Sequence, residues 1–363
     1  MSGLHFHPLR VRDVRADTDE AMLLTFDVPP ELSDAFRFEP GQYLTLRHPA
    51  NSQDLRRSYS ICAAAGEALR VGVRRVDGGA FSSWLHATVA PGQVMDVMEP
   101  QGRFGASLAG HMQAQGGGHM LCIAGGSGIT PILSILKTVL MRHITSRVTL
   151  LYGNRDVAST MFKEELEDLK NRYLTRLVLH PVFSREQIDT PLHCGRLDRD
   201  KIATFLRLIG AVDEAFICGP HAFNDDAEAA LLAAGIAPAR LHVERFGVPP
   251  ALARQVAQEA QDVSTAGTRN SARIRIVRDG VTRDIGYTRQ DQNILAAASR
   301  AGLDVPYSCK SGVCATCRSR LIEGEVHMAR NFALEPSEVE AGFILTCQAH
   351  PLTERVVISF DDR

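Results

Sequence analysis

Residues 309–317 read CKSGVCATC and bring three cysteines, Cys309, Cys314 and Cys317, into one short loop. A fourth cysteine, Cys347, follows after 29 intervening residues. This C-x4-C-x2-C…C spacing is one of the patterns that hold a [2Fe–2S] cluster. Three thiolates from a tight loop wrap the two irons, and the fourth closes the cage from a distant segment. The small side chains between the cysteines let backbone N–H groups point at sulfur. The loop therefore predicts a [2Fe–2S] cluster.

Two other interpretations of these cysteines fit their spacing less well. A zinc ribbon needs two C-x2-C pairs, and this chain has one pair with two outlying cysteines. A thiol redox motif belongs at the start of a helix in another sequence context. Positive charge near the cluster is expected from Lys310, Arg318 and Arg320. The remaining cysteines are predicted to be small buried side chains: Cys62, Cys122, Cys194 and Cys218.

Composition limits the class of protein. The 363 residues, 45% hydrophobic and 23% charged, suffice for two or three folded domains and argue against disorder. A formal charge of −2 provides no net field to attract nucleic acid. Residues 1–10 lack the apolar core of a signal peptide, and glycines and Pro131 break the apolar stretch 121–136. We expect a soluble cytoplasmic protein that does not bind membranes.

The first segment, residues 1–110, is predicted to be an antiparallel β-barrel. Short runs of strand character alternate with Gly/Pro turns. One helix, residues 80–88, fits among them. The predicted strands are residues 22–28, 42–46, 57–61, 69–76 and 94–97.

Residues 111–246 follow a different rhythm, in which apolar strands alternate with helical patterns. This alternation predicts a doubly wound parallel α/β domain. Helix starts are predicted at Thr130, with Pro131 at the first helical position, and at Ser159 or Thr160. The predicted strand–helix pairs are 120–124 and 131–142, 148–152 and 161–172, 177–183 and 198–206, and 215–218 and 221–234.

The last third of the chain begins with a linker. Residues 247–270 show no strand pattern and are predicted to be a linker between domains. Residues 271–363 begin with an alternating hairpin whose turn is Asp279-Gly280, and they continue with a helix at 293–301, the cysteine loop and a last strand at 356–360.

A glycine-rich turn suggests a nucleotide site in the second domain. Residues 125–131, GGSGITP, follow an apolar strand and open a helix. Such a turn presents free N–H groups and the positive end of the helix to a pyrophosphate, although packing alone also produces glycine-rich turns. Cys218, at the end of another strand of this sheet, is expected at the same carboxyl edge, where ligands of open α/β sheets bind.

In the first segment, residues 57–60 read RSYS. On a strand, Arg57 and Tyr59 share one face, where a guanidinium can bind phosphate and a phenol can lie on a flat ring. Taken alone, the motif is better explained as a strand with one exposed polar face. Gly79 and Ser82, at the start of the short helix, provide a second helix N-terminus suited to an anion.

Together, these blocks resemble the ferredoxin–NADP reductase superfamily with a C-terminal [2Fe–2S] domain, over essentially the whole chain. Tyr152-Gly153-Asn154-Arg155, Ser184-Arg185-Glu186-Gln187 and residues 307–317 and 341–348 are similar to the reductase subunits of phenylacetyl-CoA epoxidase complexes. The resemblance implies a multidomain α+β protein: a β-barrel flavin domain, an α/β nucleotide domain and a β-grasp ferredoxin domain.

The resemblance also implies roles for single residues. Arg57 would bind flavin phosphate, Tyr59 would pack on the flavin, and Ser60 would hydrogen-bond near N5, with Ser58 between them. Gly79 and Ser82 would hold a pyrophosphate, which favours FAD over FMN. Thr130 and Cys218 would border the nicotinamide, and Phe246 would cover the isoalloxazine. The dinucleotide phosphates would lie on Gly125, Gly126, Gly128, Thr130 and Pro131.

The choice of dinucleotide depends on the ends of two strands. A basic residue there binds the 2′-phosphate of NADP, whereas an acidic residue binds the ribose 2′-OH of NAD. Arg155 follows one strand, and Ser184 and Arg185 follow the next, which favours NADPH over NADH. Asp156, beside Arg155, is the feature that fits NADH.

Electron counting predicts the order of the cofactors. A nicotinamide delivers two electrons as hydride, a [2Fe–2S] cluster accepts one at a time, and a flavin does both. We therefore expect electrons to pass from NADPH to FAD, to the cluster and to a partner. The resemblance makes that partner a di-iron oxygenase component acting on phenylacetyl-CoA. A reductase for a ketosteroid hydroxylase or an acyl desaturase, and a zinc-holding binding module, are the alternatives.

Overall fold

A computed structural model describes residues 4–50, 53–106, 108, 117–247 and 271–362. The strands are β1 (Phe6–Thr18), β2 (Ala21–Asp27), β3 (Tyr43–Ala50), β4 (Gln53–Ser60), β5 (Arg70–Arg74), β6 (Val94–Gln101), β7 (His119–Gly125), β8 (Arg147–Asn154), β9 (Leu177–Phe183), β10 (Glu214–Gly219), β11 (Leu241–Arg245), β12 (Ser271–Arg278), β13 (Val281–Thr288), β14 (Arg318–Glu323), β15 (Val326–Met328), β16 (Phe343–Leu345), β17 (Ala349–Pro351) and β18 (Arg355–Ser359).

The α-helices are fewer. They are α1 (Ala80–Thr88), α2 (Ile129–Arg142), α3 (Lys163–Arg172), α4 (Arg199–Ile209), α5 (His221–Ala233), α6 (Ile294–Arg300) and α7 (Pro336–Glu340).

The first six strands form an antiparallel sheet in the order β4-β3-β6-β1-β2-β5. A bridge between Ile61 and Val71 joins the chain after β4 to β5, so the two edges of the sheet meet. Strand side chains such as Leu24 and Leu44 fill the interior together with Phe81 of α1. The predicted β-barrel is confirmed, with α1 at the predicted residues.

The second sheet is entirely parallel, in the order β11-β10-β7-β8-β9. β7 and β10 are neighbours although two strands separate them in sequence, so the strand order reverses between them. Apolar strands covered by helices on both faces explain the burial of runs such as 120–125 and 214–219. The predicted doubly wound α/β domain is confirmed.

The C-terminal sheet is mixed, in the order β13-β12-β18-β14-β16, with the small sheet β15-β17 beside it. β12 and β18 pair in parallel, and the other pairs are antiparallel. α6 packs Ile294 and Leu295 into the core of this domain. The predicted hairpin and last strand are present, and the fold class is confirmed.

Both predicted helix starts are wrong. α2 begins at Ile129, because the turn 126–128 is already helical and continues into it. Thr130 is therefore a helical residue, and its hydroxyl donates to the carbonyl of Ser127 at 3.0 Å. α3 begins at Lys163, because the Ser159 and Thr160 hydroxyls donate to the carbonyl of Asp156 in a separate turn.

The polypeptide forms two compact units, one of residues 7–246 and one in which the first residues join the C-terminal domain. The predicted boundary at residues 110 and 111 and the predicted linker, apart from Gly247, lie outside the described residues. Within the described ranges, no helix has both the length and the apolar character needed to cross a bilayer.

Candidate functional site

The four cysteines of the C-terminal domain lie in two pairs. Cys309 and Cys314 hydrogen-bond to each other through their thiols, and so do Cys317 and Cys347. The first pair is partly exposed, and the second is buried. No disulfide joins any of these four cysteines. Among the described residues, no three His, Cys, Asp or Glu side chains surround a position suited to a single ion. Two thiolates on each of two irons fit this pairwise arrangement.

The backbone of the loop turns its N–H groups towards the sulfur atoms. Lys310, Gly312 and Ala315 have positive φ angles, a conformation that makes concave nests of N–H groups. The hydrogen bond from Cys314 lowers the pKa of the Cys309 thiol, and burial raises it. With the backbone N–H groups of Ser311 and Val313, which also lower it, the net pKa lies well below its usual value. The same hydrogen bond, followed by burial, raises the pKa of the Cys314 thiol well above its usual value, so a thiolate is favoured at only one sulfur of this pair.

Gln348 is a residue of this centre that sequence reasoning missed. Its side-chain amide donates to the carbonyl of Lys310 at 3.1 Å and lies 3.5 Å from the Cys347 sulfur. It therefore links the cysteine loop to the segment that carries the distant cysteine. The position directly after Cys347 was the signal that could have identified it.

The charges around the loop differ from the simple expectation. Arg318 pairs with Glu338 at 3.0 Å and lies 3.5 Å from the centroid of the Phe343 ring, so its positive charge is partly neutralised. Lys310 is exposed and lies over the Tyr307 ring at 4.5 Å.

In the barrel, β4 places the RSYS residues against β3. Arg57 is exposed, Ser58 and Tyr59 are half-buried, and Ser60 is buried. Tyr59 lies 6.1 Å from the Phe81 ring, centroid to centroid, and its burial raises the pKa of the phenol. The motif thus offers a guanidinium in solvent and, two residues on, a neutral ring on the same strand face.

The start of α1 lies close to this strand. Gly79 is the N-cap and has no side chain to bond the first N–H groups of the helix, which leaves them available for an anion. The Ser82 hydroxyl is buried and accepts from the backbone N–H of Val76 at 3.1 Å. Ser82 therefore also shapes the turn that precedes the helix.

The glycine-rich turn lies between β7 and β10, where the strand order reverses. A Cβ atom at Gly128 would overlap the carbonyl oxygen of Cys218 and lie 2.8 Å from the nitrogen of Gly219. A Cβ atom at Gly125 would lie 3.0 Å from Pro220. The hydroxyl of Tyr152 donates to the carbonyl of Gly126 at 3.2 Å and fixes the turn from β8. The structure thus brings together two motifs that are distant in sequence.

Thr130 joins this turn to the barrel. It is buried, and a Cβ atom at Gly72 of β5 would lie 2.8 Å from the Thr130 methyl group. Pro131 is buried behind it in α2. The glycine-rich turn is therefore in contact with the domain that carries the RSYS motif.

A buried carboxyl group next to Cys218 escaped sequence reasoning. The residue Glu244 on β11 is half-buried, but its Oε2 atom is buried and has no hydrogen-bond partner among the described residues. Burial raises the pKa of this carboxyl to about 8. Burial, and then the charge of Glu244, raise the pKa of the Cys218 thiol well above its usual value. An acid two residues before Phe246 was the available signal.

Phe246 follows β11 directly and is 45% exposed. Arg245 holds the end of the strand against α5 through ion pairs with Asp225 at 2.9 Å and Glu228 at 3.2 Å. An exposed ring at a fixed strand end is available to cover a flat ligand.

The ends of β8 and β9 lie side by side. The N–H of Ser184 donates to the carbonyl of Asn154 at 2.9 Å, and that of Arg185 donates to the carbonyl of Arg155 at 2.8 Å. Ser184 and Arg185 are exposed. The Arg155 guanidinium donates to Glu20 of the barrel at 2.7 Å.

The other cysteines are mostly as predicted. Cys62, Cys122 and Cys218 are buried. Cys194 is an exception, because it is partly exposed and its sulfur accepts from the backbone N–H of Ile188 at 3.3 Å. It lies in the loop after β9, outside the cores of the sheets.

Three family models match the chain in order. An oxidoreductase FAD-binding domain matches residues 9–105, an oxidoreductase NAD-binding domain matches 122–229, and a 2Fe-2S iron–sulfur cluster binding domain matches 279–352.

Curated relatives match over nearly the whole length. The chain is 43% identical to one of the subunits of 1,2-phenylacetyl-CoA epoxidase from Escherichia coli, with 98% of each chain covered. It is 36% identical to the ferredoxin reductase component of 3-ketosteroid-9-alpha-monooxygenase from Rhodococcus rhodochrous, with 97% of this chain and 96% of the relative covered. Among solved structures, phthalate dioxygenase reductase has the same fold, with a TM-score of 0.59, 21% identity and 98% of each chain covered.

Proposed function

Because this chain belongs to the family of oxygenase reductases that combine FAD-binding, NAD-binding and [2Fe–2S] domains, we propose that it carries electrons from NADPH to the di-iron oxygenase component of a phenylacetyl-CoA epoxidase. The observation that carries the proposal is the close approach of Gly128 to Cys218, with Thr130 against β5 of the barrel. This geometry supports a crevice that the glycine-rich turn and the barrel form together.

The proposed flavin site uses residues of the barrel. When bound, FAD accepts an electron pair and releases it one electron at a time. Arg57 binds a phosphate, Tyr59 packs on the ring system, and Ser58 and Ser60 bond its polar edge. The free first turn of α1, with Gly79 and Ser82, binds the second phosphate, which is the reason for choosing FAD over FMN. Phe246 excludes water from the exposed ring face.

The proposed dinucleotide site lies along the carboxyl edge of the parallel sheet. The turn formed by Gly125, Gly126 and Gly128, with the first residues of α2, holds the pyrophosphate. Thr130 and Cys218 border the nicotinamide, and Cys218 acts as an uncharged wall because burial keeps its thiol protonated. At the far end, Arg185 with Ser184 binds the 2′-phosphate, and Arg155 lies beside them.

In the C-terminal domain, Cys309, Cys314, Cys317 and Cys347 are proposed as the cluster ligands. The N–H groups of the loop offset negative charge at the sulfur atoms. We place the flavin domain at residues 1–110, the nucleotide domain at 111–246, a linker at 247–270 and the cluster domain at 271–363. A cytoplasmic location suits thiols that must stay reduced.

An anaerobic titration of the purified protein with NADPH tests the proposal. The expected spectrum combines flavin bands with broad iron–sulfur absorption, and both bleach with NADPH. The KM for NADH is expected to be much higher than that for NADPH. A colourless protein that contains zinc would refute the proposal.

A second experiment identifies the acceptor. The reduced protein is mixed with the di-iron component of a phenylacetyl-CoA epoxidase, and consumption of phenylacetyl-CoA is measured. The oxygenase component of a ketosteroid 9α-monooxygenase is the second candidate, since a relative serving such an enzyme is 36% identical. Faster turnover with the ketosteroid oxygenase would replace the first acceptor by the second.

A further inference from the structure

A single carboxylate oxygen lies between two arginines at the edge of the proposed dinucleotide site. Glu20 Oε2 accepts from Arg74 Nη2 at 2.9 Å and from Arg155 Nη2 at 2.7 Å. Arg74 belongs to β5 of the barrel, and Arg155 follows β8 of the parallel sheet. Two positive groups from different domains thus converge on one negative oxygen.

The backbone holds Glu20 in this place. Ala21 pairs with Arg74 across β2 and β5, and the N–H of Arg75 donates to the carbonyl of Glu20 at 2.7 Å. The turn between β1 and β2 is therefore fixed beside the end of β5. The side chains of Glu20, Arg74 and Arg155 are each about one third exposed, at 36%, 31% and 35%, so a ligand from solvent can reach them.

Both arginines also lie at the phosphate-binding edge. A Cβ atom at Gly126, in the glycine-rich turn, would lie 3.0 Å from Arg74 Nη1. The carbonyl of Arg155 accepts from the N–H of Arg185. A dinucleotide bound along this edge passes within reach of both guanidinium groups.

Guanidinium groups bind carboxylates and phosphates with the same planar fork of donors. A phosphate of the dinucleotide carries the charge and the acceptor oxygens to replace Glu20, and an exposed ion pair is weak enough to exchange. On the basis of the proposed function, we propose that Glu20 is an intramolecular competitor of the dinucleotide phosphates for Arg74 and Arg155. Glu20 neutralises the arginines when no dinucleotide is bound and lowers the affinity for the oxidised dinucleotide.

The test measures binding of NADP⁺ and NAD⁺ to the flavin-loaded full chain by calorimetry. Glu20→Gln removes the charge with little change in shape. We expect its Kd for the dinucleotide to fall by about three- to tenfold, because two weak ion pairs no longer oppose binding. In steady state, the KM for NADPH falls while kcat does not rise. Glu20→Ala, a second uncharged variant, is expected to shift the Kd in the same direction.

Two control variants separate competition from general effects. Glu20→Asp keeps the charge and is expected to keep a Kd close to the wild-type value. Asp19→Asn removes one charge at the exposed neighbouring position, which is paired with no arginine in the part of the chain that the structure describes. An equal gain in affinity in Asp19→Asn would overturn the proposal, because it would reflect net charge alone.

The two dinucleotides tell which phosphate competes. Equal tightening of NADP⁺ and NAD⁺ supports competition with the pyrophosphate, and tightening of NADP⁺ alone supports competition with the 2′-phosphate. An unchanged or higher Kd in both uncharged variants, with a wild-type protein that NADPH reduces, overturns the role of Glu20 alone. A wild-type protein that neither binds NADP⁺ nor is reduced by NADPH overturns the proposed function and this inference with it.

Discussion

Replacement of Gly128 by Ala tests the contact on which the proposed crevice depends. The backbone at this position has φ −61° and ψ −11°, a conformation that alanine adopts readily. By backbone preference alone, the change would stabilise the protein by about 0.4–1 kcal/mol. The added Cβ would overlap the carbonyl oxygen of Cys218 and lie 2.8 Å from the nitrogen of Gly219.

Both contacts are with backbone, so no side-chain rotation relieves them. Overpacking of a core typically costs about 1–3 kcal/mol, and a clash with backbone belongs in the upper half of that range, at about 2–3 kcal/mol. We therefore expect a net loss of about 1–2 kcal/mol in the free energy of unfolding of the flavin–nucleotide unit. The melting temperature would fall by about 5 °C. The rate of flavin reduction by NADPH would fall by about 10²-fold if the turn moves by about 1 Å.

Thermal unfolding followed by flavin fluorescence and stopped-flow reduction by NADPH measure both effects. Gly153→Ala is the matched control, because its Cβ would meet the nearest side chain, Leu197, at an ordinary 3.4 Å at the same sheet edge. This control is expected to keep wild-type stability and rate. A Gly128→Ala protein as stable as the wild type, with an unchanged rate, would refute the reasoning.

The remaining predictions concern single side chains. Cys314→Ser should abolish the cluster absorption and leave NADPH-driven ferricyanide reduction largely intact. Loss of the cluster absorption together with ferricyanide reduction would contradict separate flavin and cluster modules. Arg185→Ala should raise the KM for NADPH far more than that for NADH, and equal increases would remove its phosphate role. Arg57→Ala should yield protein depleted of flavin, whereas full flavin content would leave this residue as an exposed polar side chain. Glu244 has a native pKa of about 8 against an ordinary 4.5, so the native state binds the extra proton and stability falls as pH rises from about 4.5 to 8. Glu244→Gln should flatten this decline in urea unfolding at pH 5 and pH 8, and a decline as steep as that of the wild type would show that another group causes it.

Local chemistry explains what the sequence determined. The cysteine loop was predictable because three cysteines lie within nine residues at a spacing typical of [2Fe–2S] clusters. The glycine-rich turn was predictable because a strand, a turn and a helix follow one another directly. The alternation of apolar strands with helices predicted the parallel sheet for the same reason.

Some elements lacked a local signal. β1 carries charged residues on its exposed face, and β11 is a half-buried strand at the edge of its sheet, so neither shows an apolar run. The start of α2 was misplaced because Thr130 and Pro131 have the composition of a helix start, while the preceding glycines already adopt the helical turn.

Only the tertiary structure decided which distant side chains meet. Arg155 is 135 residues from Glu20 in sequence, yet a hydrogen bond joins their side chains. Gly128 must be glycine because the end of β10, at Cys218 and Gly219, passes against it, and Glu244 acquires its unusual pKa from burial beside the same cysteine. The sequence names the chemistry of each group. The partner and the burial of each group depend on how the sheets pack, because both come from contacts between segments that no local pattern encodes.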